Sequence, residues 1–253
     1  MYFDTHAHYC DKRFNEDRDE LLGSMNDGGV SLILNSGSSL RSSKMSLELA
    51  DKYPFIYASV GVHPHDSKSM DDETVGVLEK LLSHPKAVAV GEIGLDYHYD
   101  FSPRDVQKKR FREQLELARR LDKPVIIHER EALQDTLEAV REYSDLNGVF
   151  HCFSGSWETA KIILDFGWYI SFTGVITFKN ARRALEVIEK MPADRIMLET
   201  DCPYMAPEPK RGRRNSSLLL PYIAEKVADV RGVTREEVAE LTTENGKRFF
   251  GIA

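Results

Sequence analysis

The chain has 253 residues, 42% of them hydrophobic and 30% charged, with 34 Lys and Arg against 41 Asp and Glu. That is an ordinary globular composition close to the roughly 250 residues of one (β/α)8 barrel, and no run approaches the ~20 apolar residues needed to cross a bilayer. A formal charge of −7 argues against a wholly basic protein that coats nucleic acid, while leaving room for a local basic patch, because salt confines each charge's field to about 10 Å.

No basic stretch, apolar run and small-residue cleavage site follow Met1, and the three cysteines, Cys10, Cys152 and Cys202, are odd in number and widely spaced. Neither a secretory leader nor a disulfide framework is expected, and the expected location is cytoplasmic.

From one end to the other, short β-rich apolar runs alternate with helical patterns. In chain order, strands are predicted at residues 2–6, 30–35, 55–61, 87–93, 124–128, 148–152, 168–172 and 195–200. Helices are predicted at 43–52, 72–83, 103–121, 130–143, 157–165 and 180–190, with closing helices at 216–230 and 235–240. In the helix at 103–121, Phe111, Leu115, Ala118 and Leu121 recur at helical spacing, and Lys108, Arg112 and Arg119 fall on another face. Strand-helix alternation of this kind predicts a parallel sheet with right-handed crossovers. No linker divides the chain, so one domain over residues 1–253 is expected. An open doubly wound sheet has the same periodicity. Polar residues at the C-terminal ends of several different strands favour an α/β fold of the (β/α)8, or TIM, barrel type, with closing C-terminal helices.

Those polar residues carry the chemistry. Asp4-Thr5-His6-Ala7-His8 ends the first run, and a period of two puts Asp4, His6 and His8 on one side. Alone, His-x-His also fits a solvated loop. Glu92 ends the apolar run Ala87–Gly91, where an ionised carboxylate needs a cation or hydrogen-bond donors; a metal is the economical partner, and a buried salt bridge to a Lys or Arg is the alternative. His128, His151 and Asp201 end three further runs. Six nitrogen and oxygen ligands, His6, His8, Glu92, His128, His151 and Asp201, exceed one tetrahedral zinc and point to two divalent ions with Glu92 bridging. Such a mixed set suits Zn, Mn, Fe, Co or Ni better than Ca. By parity Cys152 and Cys202 point away from this set and are not expected to be ligands.

The motifs Asp4-Thr-His-Ala-His8, Gly61-Val-His-Pro-His65, Val90-Gly-Glu-Ile-Gly-Leu-Asp96-Tyr, His128, His151-Cys-Phe-Ser-Gly155, Leu198-Glu-Thr-Asp201 and the segment 245–250 span essentially the whole chain. Together they resemble the TatD family of metal-dependent hydrolases, within the amidohydrolase-like barrels. The resemblance implies that His6, His8, Glu92 and Asp201 hold one ion and that Glu92, His128 and His151 hold the second. It implies a substrate-facing His63, and a Glu199 that supports the site or helps to hold a further ion. It also implies cleavage of DNA phosphodiester bonds, exonucleolytic, with Mg or Mn supporting activity.

Water is the expected nucleophile. Asp201 is expected to orient it or take its proton, with Glu92 and His63 completing the catalytic group. The run Lys210-Arg-Gly-Arg-Arg214, followed by Asn215, offers Arg211 and Asn215 to phosphate, and Ser154 offers a hydroxyl; a solvated loop and a simple turn are the plainer readings. The same centre could hydrolyse an amide or ester, such as a mischarged aminoacyl-tRNA, and a non-catalytic metal- or nucleic-acid-binding scaffold is the alternative from another class.

Overall fold

A computed structural model describes every residue from Met1 to Ala253. The strands are β1 (Tyr2–Ala7), β2 (Val30–Ser36), β3 (Ile56–Val60), β4 (Ala87–Asp96), β5 (Val125–Arg130), β6 (Gly148–Phe150), β7 (Tyr169–Phe172) and β8 (Ile196–Leu198). Between and after them lie α1 (Arg18–Gly23), α2 (Leu40–Lys52), α3 (Thr74–Leu82), α4 (Arg104–Arg120), α5 (Leu133–Glu142), α6 (Trp157–Asp165), α7 (Arg182–Lys190), α8 (Leu220–Arg231) and α9 (Arg235–Phe250). The eight strands form one sheet in the order β1 to β8, and the chain is a (β/α)8 barrel, as expected. No helix is long and apolar enough to cross a membrane. Two compact units make up the chain, one of Met1–Asn35 with Cys152–Ala253, the other of Ser36–His151.

In the first unit β1 pairs in parallel with β2, and β7 with β8. The first and last strands also meet: Thr5 Oγ1 donates to the Leu198 carbonyl at 3.0 Å, Asp201 N to the His6 carbonyl at 2.9 Å and His8 N to the Cys202 carbonyl at 2.8 Å. Helix α9 is capped by Thr234 and Glu237, which exchange hydrogen bonds in a capping box. It runs ten residues past the expected end at 240 because Gly246 lets it lie against β1, where a Cβ would come within 2.7 Å of the Phe3 ring. The sequence pattern does not predict helix α1; its six residues bury only Leu22, too little for a periodic signal.

In the second unit β3, β4, β5 and β6 pair in parallel. Helix α4 buries Phe111 and Leu115, each stabilising the fold by about 2 kcal/mol relative to exposure. On the same helix two buried amides clamp strand ends. Gln114 accepts from Val62 N at 2.7 Å and donates to its carbonyl at 3.0 Å; Gln107 does the same to Asp96, at 2.9 and 3.1 Å.

β6 and β8 each stop two residues earlier than expected, for one reason. The Thr200 amide donates to the Asp4 carboxylate and the Cys152 amide to the Glu199 carboxylate, so side chains replace strand partners, and Asp201 and Cys152 then turn to φ +53° and +48°. The alternation assumed for Cys152 and Cys202 therefore breaks at those residues; Cys202 is buried and Cys152 half-buried beside Thr173. Strand β4 instead runs past Ile93 to Asp96, paired with β5 through Gly94 and His128. At Gly94, φ is +145° and an added Cβ would fall 1.9 Å from the His128 carbonyl oxygen. Gly94→Ala should therefore destabilise by about 3 kcal/mol or more, a fall in Tm of about 10 °C. Gly167→Ala, at φ +79° with open space around it, should cost only about 1 kcal/mol. Equal melting losses for the two variants in calorimetry would contradict this account.

Candidate functional site

The second half of β4, in the second unit, carries a buried carboxylate among imidazoles. Glu92 is 4% exposed, and its Oε1 lies 2.9 Å from His128 Nδ1, 2.9 Å from His151 Nε2 and 3.4 Å from His63 Nε2. Burial opposes ionisation of Glu92, but the charges of His151 and His63 and the hydrogen bonds from His128 and His151 outweigh it and hold the carboxyl well below the usual range. The same burial pushes His63 down to about 4, opposed by the Glu92 charge. A ligand atom each from His63, Glu92 and His128 lies within one 4.8 Å cluster. This is a borderline, nitrogen-rich donor set of the kind that Zn or Mn takes.

Beyond the expected strand end, a second carboxylate orients the cluster from behind. Asp96 is fully buried, and its Oδ2 lies 3.0 Å from His128 Nε2 and 2.9 Å from His65 Nε2. Burial raises its pKa, but the hydrogen bonds from His128 and His65 prevail and hold it well down. His128 thus spans two carboxylates with its two ring nitrogens, which fixes the ring plane. Asp96 and His65 both lie in motifs that carry the family resemblance; Asp96 shares the parity of Glu92 four residues earlier, a signal that a longer strand assignment would catch.

In the first unit the end of β1 meets the segment after β8. His6 Nε2 and His8 Nε2 are 3.0 Å apart, and Asp201 Oδ1 is 3.3 Å from His8 Nε2 and 3.9 Å from His6 Nε2. Two imidazole nitrogens and a carboxylate oxygen converge here, a donor set suited to a divalent cation. Asp4, two residues before His6, is fully buried and accepts from Thr200 N at 2.9 Å, Thr200 Oγ1 at 2.5 Å and Ser217 Oγ at 2.6 Å. Burial raises its pKa to about 7 against those hydrogen bonds. Glu199 is buried too, accepting from Cys152 N at 2.7 Å and Ser171 Oγ at 2.5 Å, which fits a supporting acid.

The expected substrate contacts divide. Ser154 is exposed, and Arg211 is exposed with its guanidinium 4.3 Å over the Phe178 ring and 4.0 Å from Glu208. Asn215 is a correction: it is fully buried, and its amide nitrogen already donates to the Thr200 carbonyl at 2.9 Å and the Tyr204 carbonyl at 2.7 Å. It ties down the loop after β8, with no donor to spare for phosphate. His63 Nδ1 accepts from His65 N at 3.1 Å, which turns its other nitrogen toward Glu92.

Imidazoles and carboxylates gathered at the C-terminal ends of parallel barrel strands define a metal-dependent hydrolase. The chain belongs to the TatD related DNase family, whose family model matches residues 3–251. It is 41% identical over the full length of both chains to the "uncharacterized metal-dependent hydrolase YabD" of Bacillus subtilis. It is 35% identical, with 99% of each chain covered, to the "3'-5' ssDNA/RNA exonuclease TatD" of Escherichia coli. The crystal structure of the TatD homologue YjjV of Escherichia coli superposes with a TM-score of 0.93 at 30% identity, covering 100% of this chain and 98% of that one.

Two measurements test the supporting groups. Ser217→Ala removes a hydroxyl donor from the buried Asp4 and should cost about 1–3 kcal/mol in urea unfolding; an unchanged midpoint would show that the Asp4 cluster does not hold β1 in place. Asp96→Asn should weaken Mn binding about 10- to 100-fold in calorimetric titration, and an unaltered dissociation constant would remove Asp96 as a positioning residue.

Proposed function

We propose that this hydrolase cleaves phosphodiester bonds of single-stranded DNA or RNA from the 3' end, with two divalent ions, Mg, Mn or Zn, as cofactors. The observation that carries this reading is the buried Glu92 carboxylate with His63, His128 and His151 within 3.4 Å, in a chain 35% identical to a relative named as a 3'-5' exonuclease. By family resemblance His6, His8, Glu92 and Asp201 would hold one ion, and Glu92, His128 and His151 the other, with Glu92 shared. When bound, such ions bring the pKa of water to about 7 and offset charge on the phosphoryl group.

The chain's own groups supply the rest. Asp201 orients the attacking water and accepts its proton, having a carboxylate that is neither fully buried nor fully exposed, at 13%. His63 donates to a phosphoryl oxygen, its ring held by the His65 amide. Ser154 and Arg211, both exposed, contact flanking phosphates; a guanidinium matches two phosphate oxygens at once. No side-chain nucleophile is needed. The match over residues 3–251 supports one functional domain, and three cysteines, odd in number and widely spaced, support a cytoplasmic location.

Single-stranded DNA labelled at its 5' end should shorten from the 3' end in Mg or Mn, and chelation should stop it. Glu92→Gln and Asp201→Asn should each lower kcat about a thousand-fold. Turnover of aminoacyl-tRNA or simple esters with no phosphodiester cleavage would overturn the nuclease reading, and undiminished activity in both variants would overturn the site.

A further inference from the structure

The loop after β4 exposes two large aromatic side chains, Tyr99 at 47% and Phe101 at 55%. A single exposed aromatic is commonplace. These two are stacked on each other, with centroids 5.1 Å apart and planes 22° from parallel, and the loop is built to hold them so. Asp96 Oδ1 accepts from Tyr99 N at 2.9 Å, and the fully buried Ser102 donates its hydroxyl to the His65 carbonyl at 2.8 Å. His65 meets both rings at steep angles, with centroids 5.3 Å from Tyr99 and 4.9 Å from Phe101, while the Arg130 guanidinium lies 4.8 Å over Tyr99.

Two properties give this patch a direction. His65 and His128 share one oxygen of Asp96, so the aromatic pair is joined by two hydrogen bonds and a ring contact to the imidazole that touches Glu92. The nearby cations also differ in what they face. Arg104 is paired with Asp100, Lys108 with Asp135, and Lys68 donates to the Phe101 carbonyl at 2.8 Å, whereas Arg130 meets a ring and no carboxylate. A flat apolar face beside an uncompensated guanidinium, continuous with a hydrolytic cluster, has the chemistry of one nucleotide: a base to stack and a phosphate to neutralise.

We propose that Tyr99 and Phe101 form a stacking platform for one base of a single-stranded nucleic acid, with Arg130 meeting the adjoining phosphate. Arg130 and Phe101 both lie on Tyr99, so Phe101, the more exposed of the two rings at 55%, is the one offered to the base. The platform reads no hydrogen-bond pattern, so it accepts any base and excludes a duplex, whose bases are already stacked. The inference rests on the nuclease reading above.

Fluorescence anisotropy with the metal-loaded protein tests it, using a single-stranded oligonucleotide whose phosphorothioate linkages resist hydrolysis and an abasic strand with the same backbone. The wild type should bind the base-bearing strand about tenfold more tightly. Phe101→Ala should bind both strands alike, at the wild type's abasic affinity, and Phe101→Trp should restore the difference. On a cleavable strand Phe101→Ala should raise KM about tenfold and leave kcat within about twofold. A Phe101→Ala protein that still distinguishes the two strands as the wild type does would overturn the platform while leaving the nuclease reading intact. A wild type that neither binds nor cleaves either strand would overturn both.

Discussion

A buried carboxylate inside β4, directly after the apolar run Ala87–Gly91, is the constraint around which the second unit is built. Taking Glu92 out of water costs several kcal/mol unless its oxygens meet donors or a cation. The chain meets that cost with imidazoles rather than with lysine or arginine, since His63, His128 and His151 all bring a ring nitrogen to one oxygen. The choice of partner matters chemically. A guanidinium would neutralise Glu92 permanently, whereas an imidazole can give up its proton and offer the freed lone pair to a metal ion, whose charge then takes the proton's place beside the carboxylate. The arrangement that makes the fold tolerable is thus also the one that makes it reactive.

Holding those rings in place falls to groups that touch no reacting atom. Where a strand ends and the chain leaves the ladder, its freed backbone groups need partners in a dry interior. Buried amides and carboxylates provide them: Gln114 for Val62, Gln107 for Asp96, Asn215 for Thr200, Asp4 for Thr200 N and Glu199 for Cys152 N. Every one of these residues is at most 1% exposed. The polar residues of the interior are therefore of two sorts, donors aimed at the site and clamps that fix the loops presenting them, and the two are indistinguishable by residue type alone.

That ambiguity sets how much is legible in the sequence. The strand-helix alternation can be read, and the six candidate donors stand out, because apolar runs followed by His, Glu or Asp are conspicuous. Asn215 reads as a phosphate contact because it follows a basic run, but its role depends on carbonyls at Thr200 and Tyr204 that no local pattern reveals. Gln107 and Gln114 are seven residues apart on the buried face of α4, where an amphipathic reading expects apolar side chains. Asp96 escapes notice because β4 reads as ending at Ile93: Gly94 looks like a terminator, yet it is a paired strand residue suited to its close approach to His128. The length of α9 escapes for a similar reason, since Gly246 serves contact with Phe3 rather than termination.

Net charge is a poor guide to whether such a chain can meet a polyanion. At −7 it should repel one at long range, but screening restricts what a phosphate feels to charges within about 10 Å. The loops at the strand ends repeatedly lay a guanidinium on an aromatic ring, as with Arg13 on Tyr204 at 4.0 Å, Arg104 on Tyr97 at 4.3 Å, Arg211 on Phe178 at 4.3 Å and Arg130 on Tyr99 at 4.8 Å. Stacking uses the face of the group and leaves its in-plane N–H donors free, while removing much of the rotamer entropy that a free arginine would lose on meeting phosphate. Arg13 and Arg104 then spend those donors on Asp11 and Asp100, and Arg214 spends its own on Asp17. Arg130, which pairs with no acid, and Arg211, 4.0 Å from Glu208 at the limit of ion pairing, keep theirs. Selective neutralisation by neighbouring acids, rather than the total count of charges, decides where this surface presents positive charge to a substrate.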